Sequence, residues 1–273
     1  MPLTLMYITN NPAVALIAEK YGVQRIWIDL ETLGKEERQK GMDTVKSHHS
    51  IGDIKVIKPL LSTSKMLVRV NPWNKNSLNE INDVVDAGAD IIMLPMWKSV
   101  EEVNYFVNAV KHRCKTTLLL ETKEAVDCLE QVLENCEVDE IHIGLNDLHL
   151  SYGKVFMFEL LADGTVEKIT KKISSYGIPY GFGGIAALGE GQLPAEKIIT
   201  EHYRLGSTRA ILSRSFCNTS LISDLDEVEY VFRSNLNKIR FFEKKISEDI
   251  DFEKNHEEVI KIVNKIVNEK KEN

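Results

Sequence analysis

Short apolar runs alternate with helix-like stretches along most of the 273-residue chain. The apolar runs predict strands, and the stretches between them carry apolar residues at helical spacing, often with Pro at their start and Gly at their end. The predicted strands are Leu3–Ile8, Gln24–Leu30, Met66–Val70, Ala89–Leu94, Thr116–Leu120, Glu140–Gly144, Ile178–Phe182 and Thr208–Ser213. Eight repeats predict an α/β fold, a closed (β/α)8 barrel, with a doubly wound open sheet as the main alternative.

The pattern changes after the eighth strand. Leu225–Ile246 has a long helical pattern, and the charged segment that follows carries an apolar stripe at helical spacing. The stripe consists of Val259, Ile262, Val263, Ile266 and Val267. We therefore divide the chain into a barrel at 1–221 and a C-terminal helical extension at 222–273. A barrel needs no such extension, so the stripe favours a homo-oligomer contact or a cover over the barrel, with a free tail as the alternative.

Composition narrows the class of protein. The formal net charge is −7 and no dense Lys/Arg block occurs, which argues against a nucleic-acid-binding surface. Four cysteines without a CxxC pair are typical of reduced thiols, so we expect a cytoplasmic protein. No apolar run approaches the ~18 residues of a membrane span, and no signal-peptide pattern opens the chain. We therefore expect no membrane partner.

Acidic side chains follow several of the predicted strands. Asp29 and Glu31 close the second strand, Glu121 follows the fifth, and Asp147 stands in a turn after the sixth. Because the C-terminal ends of barrel strands meet at one rim, these carboxylates should converge. Like charges packed together are costly unless a cation neutralises them, and oxygen ligands favour Mg²⁺ or Mn²⁺ over zinc. The sequence therefore predicts a hard-cation site at this rim.

Each of these charged residues also has a simpler interpretation. Glu121 and Asp147 precede helical segments, where an acid complements the helix dipole or caps the helix. Arg69, at the end of the third strand, offers a permanent donor to a substrate carboxylate or carbonyl, but a structural salt bridge would also explain it. Asp29 and Glu31 could pair with basic residues of the charged, predicted helix 35–47. The convergence of all these groups is the stronger argument.

Five glycines stand in Gly181–Gly191, which begins at the end of the predicted seventh strand and continues into the loop after it. Glycine lets backbone N–H groups approach an anion, and barrels often bind anions in this loop. The segment lacks the Lys-Ser/Thr pair of a phosphate-binding P-loop, so a tight turn explains it equally well. We predict that Gly183 and Gly184 bind substrate together with Gly144 and Asn146.

The seven histidines contain neither an HxH nor an HExxH pattern, which argues against a zinc hydrolase. The sequence also lacks the GxSxG motif of serine hydrolases. His48 and His49 precede Ile51, where they either approach the rim or face solvent. The chain thus offers oxygen ligands and an arginine as its main candidate chemistry.

Five short motifs follow one another between about residue 20 and residue 216. They are Ile28-Asp-Leu-Glu31, Val68-Arg-Val-Asn71, Glu121-Thr122, Ile143-Gly-Leu-Asn-Asp-Leu148 and the glycine-rich segment that runs into Gly191-Gln-Leu-Pro-Ala-Glu196. In this order, on successive strand ends, they resemble the HpcH/HpaI aldolase and citrate lyase β-subunit family.

The resemblance implies a modified TIM barrel of the phosphoenolpyruvate/pyruvate-binding superfamily. It implies a class II carbon–carbon lyase that acts on a 2-oxo acid through a pyruvate-type enolate. Glu121 and Asp147 would bind Mg²⁺ or Mn²⁺, Arg69 would hold the substrate carbonyl, and Asp29 and Glu31 would orient metal-bound water. An acyl-CoA lyase of the citrate, malyl or citramalyl type is one alternative, and a catalytically silent barrel that binds a small acid or a partner protein is another. The family also implies a homo-oligomer that exchanges its C-terminal helices.

One position departs from the family. After the Asp-x-Glu of the second strand, the aldolases carry a histidine and the citrate-lyase-like branch carries an aspartate, but this chain has Thr32. The sequence therefore leaves the general base open between metal-bound hydroxide, His48, His49 and no base at all.

Overall fold

A closed barrel of eight parallel strands forms the centre of the structure, a computed structural model that describes residues 1–34, 49–213, 215–219, 222, 224–249 and 251–272. The strands are β1 Thr4–Ile8, β2 Arg25–Asp29, β3 Lys65–Arg69, β4 Ile91–Leu94, β5 Lys115–Leu120, β6 Glu140–Ile143, β7 Tyr180–Ile185 and β8 Arg209–Leu212. β8 pairs with β1, so the sheet is closed and the doubly wound alternative is wrong. The predicted (β/α)8 barrel is confirmed.

Helices follow the strands in the order that the apolar pattern predicted. The described helices are α1 Pro12–Lys20, α2 Ile51–Ile57, α3 Ser77–Asp86, α4 Val100–Val110, α5 Lys123–Asp127, α6 Leu129–Asn135, α7 Leu145–Ser151, α8 Glu159–Ala162, α9 Thr165–Ser175, α10 Ala195–Arg204, α11 Leu225–Asp249 and α12 Phe252–Glu272. Neither α2 nor α8 was predicted. The helix predicted over 35–47 lies outside the described residues.

Side-chain caps fix where helices begin near the barrel rim. Asn11 accepts hydrogen bonds from the N–H groups at the start of α1, and Ser99 does the same for α4. Thr122 caps α5 through the N–H of Ala125, and its hydroxyl donates to the carbonyl of Trp97 at 3.0 Å. Because Thr122 is anchored in this way, the residue before it, Glu121, is held at the end of β5.

Inward-facing side chains fill the barrel in layers, as alternation along each strand requires. At the N-terminal end, the buried Glu140 forms ion pairs with Arg25 and Arg209. The middle layer is mostly apolar, with Met6, Trp27, Leu67, Ile91, Met93 and Leu119, and it also holds the buried His142 beside Trp27. The charged side chains at the C-terminal rim therefore lie above a packed apolar floor.

The C-terminal extension packs on its own barrel. α11 lies against α1 and α10, in the place that follows β8, and the buried Glu243 accepts the N–H of Leu3 at 2.7 Å. α12 packs on α8 and α10 and buries Val259 and Val263 of the predicted stripe. The buried Glu201 of α10 accepts a hydrogen bond from Asn255 of α12 at 3.0 Å. The stripe thus serves as a cover within the chain, and an oligomer through these helices stays a prediction.

Two expectations from composition concern thiols and membranes. Cys114, Cys128, Cys136 and Cys217 all carry free thiols, as their spacing suggested. Within the described ranges, no helix has both the length and the apolar character that crossing a bilayer requires.

Candidate active site

An ion-pair cluster occupies the ends of β2 and β3, where Asp29 and Arg69 stand opposite each other in parallel register. Arg69 donates from Nε and Nη2 to the two carboxylate oxygens of Asp29, at 2.9 Å each. Its Nη1 lies 3.2 Å from Oε2 of Glu31. Burial alone would lower the pKa of Arg69, but the two carboxylates raise it above its ordinary value. Arg69 is therefore a permanent cation held in one orientation.

Glu121 is a third buried carboxylate of the site, beside Asp29 and Glu31, with 2% of its surface exposed. Its Oε1 accepts the N–H of Met96 at 3.1 Å, and Met96 reaches this position with a left-handed backbone (φ 53°). Burial raises the pKa of Glu121 well above its ordinary value, Arg69 lowers it, and the carboxylates of Asp147 and Glu31 raise it again. A carboxylate in such surroundings gains stability when a cation binds beside it.

Gly144 and Asp147 directly follow β6, the strand next to β5, and so lie close to Glu121. α7 begins at Leu145, directly after Gly144, so the predicted Asn146-Asp147 turn is the first turn of a helix. A Cβ on Gly144 would lie 2.8 Å from Oε2 of Glu121 and 3.0 Å from its Cβ. Asp147 is half-buried and Asn146 is exposed. The missing side chain at Gly144 makes room for the Glu121 carboxylate.

The glycine-rich segment does not form the predicted loop at its start. Gly181, Gly183 and Gly184 belong to β7, which pairs with β8 through a register shift between Gly181 and Gly184. A Cβ on Gly183 would lie 2.8 Å from Cδ1 of Leu145, and one on Gly184 would lie 3.2 Å from Cβ of Ser213. Close packing of β7 thus accounts for these glycines, and substrate binding by Gly183 and Gly184 stays a prediction.

Glu121 and Asp147 fit a hard divalent cation. Glu121 follows β5 and Asp147 lies in the first turn of α7, directly after β6, and the carboxylate of Asp147 raises the pKa of Glu121. Mg²⁺ is commonly held by one or two carboxylates, with water and substrate oxygens in its other positions. Across the described ranges, no group of three or more His, Cys, Asp or Glu residues could hold a metal ion. The donor set therefore suits Mg²⁺ or Mn²⁺ better than a structural zinc, which takes four protein ligands.

Sequence comparison identifies the family of the chain. The family model described as HpcH/HpaI aldolase/citrate lyase matches residues 3–157, more than half of the chain. The chain belongs to the HpcH/HpaI aldolase/citrate lyase family. The matched range contains Asp29, Glu31, Arg69, Glu121 and Asp147. No curated protein sequence matches the chain significantly.

Solved structures share the fold of this HpcH/HpaI family member at low sequence identity. An HpcH/HpaI aldolase from Desulfitobacterium hafniense DCB-2 has a TM-score of 0.58 at 16% identity, covering 78% of this chain and 86% of that one. An HpcH/HpaI aldolase/citrate lyase family protein from Burkholderia cenocepacia J2315 has a TM-score of 0.58 at 13% identity, covering 83% and 95%. The citrate synthase SbnG has a TM-score of 0.60 at 16% identity, covering 84% and 94%. At these low sequence identities, the similarity shows a shared fold.

Thr32, where the HpcH/HpaI family pattern has a histidine or an aspartate, takes part in a turn. Its N–H and its hydroxyl both donate to Oδ1 of Asn71, at 2.9 Å and 3.2 Å, and the N–H of Leu33 donates to the same oxygen at 3.0 Å. The amide nitrogen of Asn71 in turn donates to Glu80 at 2.8 Å. Thr32 therefore stabilises the contact between the loop after β2 and the loop after β3, and it does not act as a base.

His49 lies at the end of β2. Its Nδ1 accepts the N–H of Asp29 at 3.0 Å, which leaves the proton of the neutral ring on Nε2. The side chain is half-buried. Of the two alternatives that the sequence left open, His49 therefore approaches the rim and does not face solvent. His48 lies outside the described residues. His142 faces the barrel interior beside Trp27, and burial lowers its pKa to about 3.

Two further contacts at the site were not found from the sequence. Trp27 lies under Arg69, with the guanidinium carbon 5.5 Å from the ring centroid. Trp27 precedes Asp29 by two residues and shares its strand face, so alternation could have identified it. Nothing in the sequence indicates that Met96 would adopt a left-handed backbone conformation and donate its N–H to Glu121.

Proposed function

We propose that the chain is a divalent-metal-dependent carbon–carbon lyase that acts on a 2-oxo acid. The observation that carries this proposal is the placement of a fixed cation, Arg69, and two carboxylates, Glu121 and Asp147, at one end of the barrel. Membership of an aldolase and citrate lyase family supports the same reaction class. A cytoplasmic location belongs to the proposal and rests on the free thiols.

Glu121 and Asp147 would hold the cation. When bound, the cation would supply Lewis-acid stabilisation of the negative charge that develops on the 2-oxo acid during enolate formation. The apolar floor beneath the rim excludes water from below, which strengthens electrostatic interactions at the site.

Arg69 would orient the substrate. Its Nε and Nη2 each donate to Asp29, and its Nη1 lies 3.2 Å from Glu31. A guanidinium has five N–H donors in a rigid plane, so a donor beyond those bound to Asp29 can serve a carbonyl or carboxylate oxygen of the substrate. We propose that Asp29 and Glu31 act chiefly by fixing this plane, because their contacts with Arg69 are the geometry that the structure shows.

Cleavage of a 4-hydroxy-2-oxo acid breaks the bond between C3 and C4. The electron pair of that bond passes to the enolate of the 2-oxo acid, and the hydroxyl proton of C4 must leave as the aldehyde forms. Thr32 is not suited to remove this proton, because its hydroxyl donates to Asn71. His49 offers a donor at Nε2, which suits return of a proton to the enolate better than removal of one from the hydroxyl.

Enolisation of pyruvate tests the proposal without knowledge of the aldehyde. The methyl-proton NMR signal of pyruvate is followed in D2O with and without Mg²⁺ or Mn²⁺, and metal binding is measured by calorimetry. We expect metal-dependent loss of the signal in the wild-type chain and in the control Glu124→Gln, which alters an exposed acid on α5, and no loss in Asp147→Asn. Metal binding without exchange would contradict the 2-oxo acid proposal and favour an acyl-CoA lyase. Neither binding nor exchange would favour a silent barrel.

A further inference from the structure

The two carboxylates that hold Arg69 are themselves supported in different ways. Asp29 is the last residue of β2 and pairs with Arg69 in the strand register, so the barrel ladder fixes its position. Glu31 lies beyond the end of β2, in a segment at 30–33 that belongs to no helix or strand. The contact of Glu31 with Nη1 of Arg69 therefore needs a support other than the ladder.

The side chain of Asn71 holds this segment. Its Oδ1 accepts hydrogen bonds from Thr32 and Leu33, which follow Glu31. Its Nδ2 donates to the carbonyl of Leu30, the residue before Glu31, at 3.3 Å. One amide side chain thus fixes the backbone on both sides of Glu31.

Asn71 has no capacity left for a substrate. Its second amide hydrogen is donated to Oε1 of Glu80 at 2.8 Å, so both hydrogens of Nδ2 are engaged while Oδ1 already accepts several donors. Turning the amide over would set Nδ2 against the N–H of Thr32 and Oδ1 against Glu80, so only one orientation fits these contacts. Asn71 therefore acts on the site through the residues that it binds.

Glu80 holds Asn71 from the side of α3. Both of its carboxylate oxygens lie 3.3 Å from the backbone nitrogen of Asn71, in addition to the bond with Nδ2. Burial raises the pKa of Glu80, and the hydrogen bonds from Asn71 lower it. Glu80 also stands in the first turn of α3, where a carboxylate complements the helix dipole. Asn71 is thus anchored, through backbone and side chain, to a helix of the outer layer.

We propose that Glu80 and Asn71 are positioning residues, which together hold Glu31 against Arg69 and so keep the guanidinium in the plane that a 2-oxo acid needs. This inference rests on the proposed function, in which Arg69 orients the substrate. Catalysis depends steeply on such placement, since an error of about 1 Å can cost about 10²-fold in rate. The residues named as the Glu80–Asn71 pair contact neither the metal ligands nor, by this proposal, the reacting atoms.

Metal-dependent exchange of the pyruvate methyl protons tests the pair. We expect Asn71→Ala and Glu80→Ala each to lower kcat about 10–100-fold, with a smaller change in KM and with Mn²⁺ affinity close to wild type. Because Glu80 acts through Asn71, the double variant should be no slower than Asn71→Ala alone. Glu80→Gln keeps an oxygen acceptor for Asn71 and should stay near the wild-type rate. Wild-type rates in both alanine variants, or losses that add in the double variant, would overturn the proposal.

An NMR measurement tests the pair without turnover. The Nε–H signal of Arg69 is identified by its loss in Arg69→Lys, and circular dichroism confirms that each variant is folded. Asn71→Ala and Glu80→Ala should shift this signal and speed its exchange with water, because the guanidinium loses its second carboxylate. The control Asn79→Ala changes an exposed asparagine of α3 and should leave the signal in place.

The two measurements separate this inference from the proposed function. An Arg69 signal that is unchanged in both alanine variants would overturn the role of the Glu80–Asn71 pair, even where the wild-type chain exchanges pyruvate protons. A shifted signal together with a wild-type chain that exchanges no protons would support the pair and contradict the 2-oxo acid reaction.

Discussion

Gly144 faces Glu121 so closely that one methyl group would not fit between them. A Cβ on Gly144 would lie 2.8 Å from Oε2 of the glutamate, and it would also come within 3.2 Å of Cδ1 of Leu119. Real Cβ atoms avoid such distances, and the buried Glu121 has little room to move away. The absent side chain is therefore as much a part of the site as the carboxylate is.

Replacing Gly144 with alanine should weaken metal binding. The added methyl group displaces the Glu121 carboxylate, and misplaced supporting groups typically cost about 10–100-fold in metal affinity. Calorimetric titration with Mn²⁺ measures the change. The control Gly52→Ala adds a methyl group in α2, where the nearest atom is Oγ of Ser50 at 3.3 Å. Unchanged Mn²⁺ affinity in Gly144→Ala would remove Glu121 from the set of metal ligands.

Replacing Glu121 with glutamine should separate stability from function. The raised pKa of Glu121 means that its charged form is disfavoured in the metal-free protein, so a neutral group of the same shape should raise the melting temperature. Each kcal/mol gained corresponds to about 2–4 °C in a chain of this size. The same change should abolish stabilisation by added Mg²⁺ or Mn²⁺. Thermal melts with and without metal show both effects, and a lower metal-free melting temperature would contradict the electrostatic argument.

Replacing Arg69 with lysine should reduce turnover although the charge is kept. A single ammonium group cannot reproduce the paired contacts with Asp29 and leave donors for the substrate. Loss of one oriented donor at a developing negative charge costs about 10²–10³-fold in rate. The rate of pyruvate methyl exchange measures the loss. Arg113→Lys, at an exposed position remote from the rim, should exchange at the wild-type rate, and equal rates in both variants would argue against a role for Arg69.

Acid should destabilise the protein through a buried histidine of α10. Burial lowers the pKa of His202 to about 3. Because this pKa lies below the ~6.5 of an unfolded chain, the unfolded state binds more protons in between, and stability present above pH ~6.5 is lost as the pH falls towards 3. From pH 7 to pH 5 the loss from this residue is about 2 kcal/mol.

Urea unfolding at pH 7 and pH 5 checks this contribution. His202→Leu should flatten the pH dependence, because the group that gains a proton on unfolding is gone. His112→Asn is the control, since His112 is exposed and its left-handed backbone (φ 55°) tolerates asparagine. An identical pH slope in His202→Leu and wild type would show that other groups govern the acid transition.

The sequence was sufficient for the barrel because its strands are short apolar runs, most of them next to a Gly, Pro or Asn. It also located the rim, since Asp29, Arg69 and Glu121 each stand where an apolar run ends. β7 was placed too early because glycines indicate loops, whereas here they let β7 pack against β8 and Leu145. The pairing of Asp29 with Arg69 follows from strand register, which the sequence does not specify.

Contacts between distant segments were harder to predict. His49 reaches Asp29 across a stretch that includes residues outside the described ranges, and no periodic pattern encodes such a contact. The stripe at Val259 and Val263 was recognised as apolar, but the pattern is the same whether its own chain or a neighbour covers it. Packing on α8 and α10 decides that question for these residues.

The hydrogen bond between Leu3 and Glu243 ties the start of the barrel to a helix that the ribosome makes only after all eight strands. β1 can pair with β2 early in synthesis, but its other edge waits for β8, and its N-terminal anchor waits for α11. Throughout that interval the nascent chain exposes an unpaired strand edge of the kind that invites aggregation. A chain cut short before α11 would keep all eight strands and still lack the anchor, so its fate in the cell should be chaperone capture or degradation.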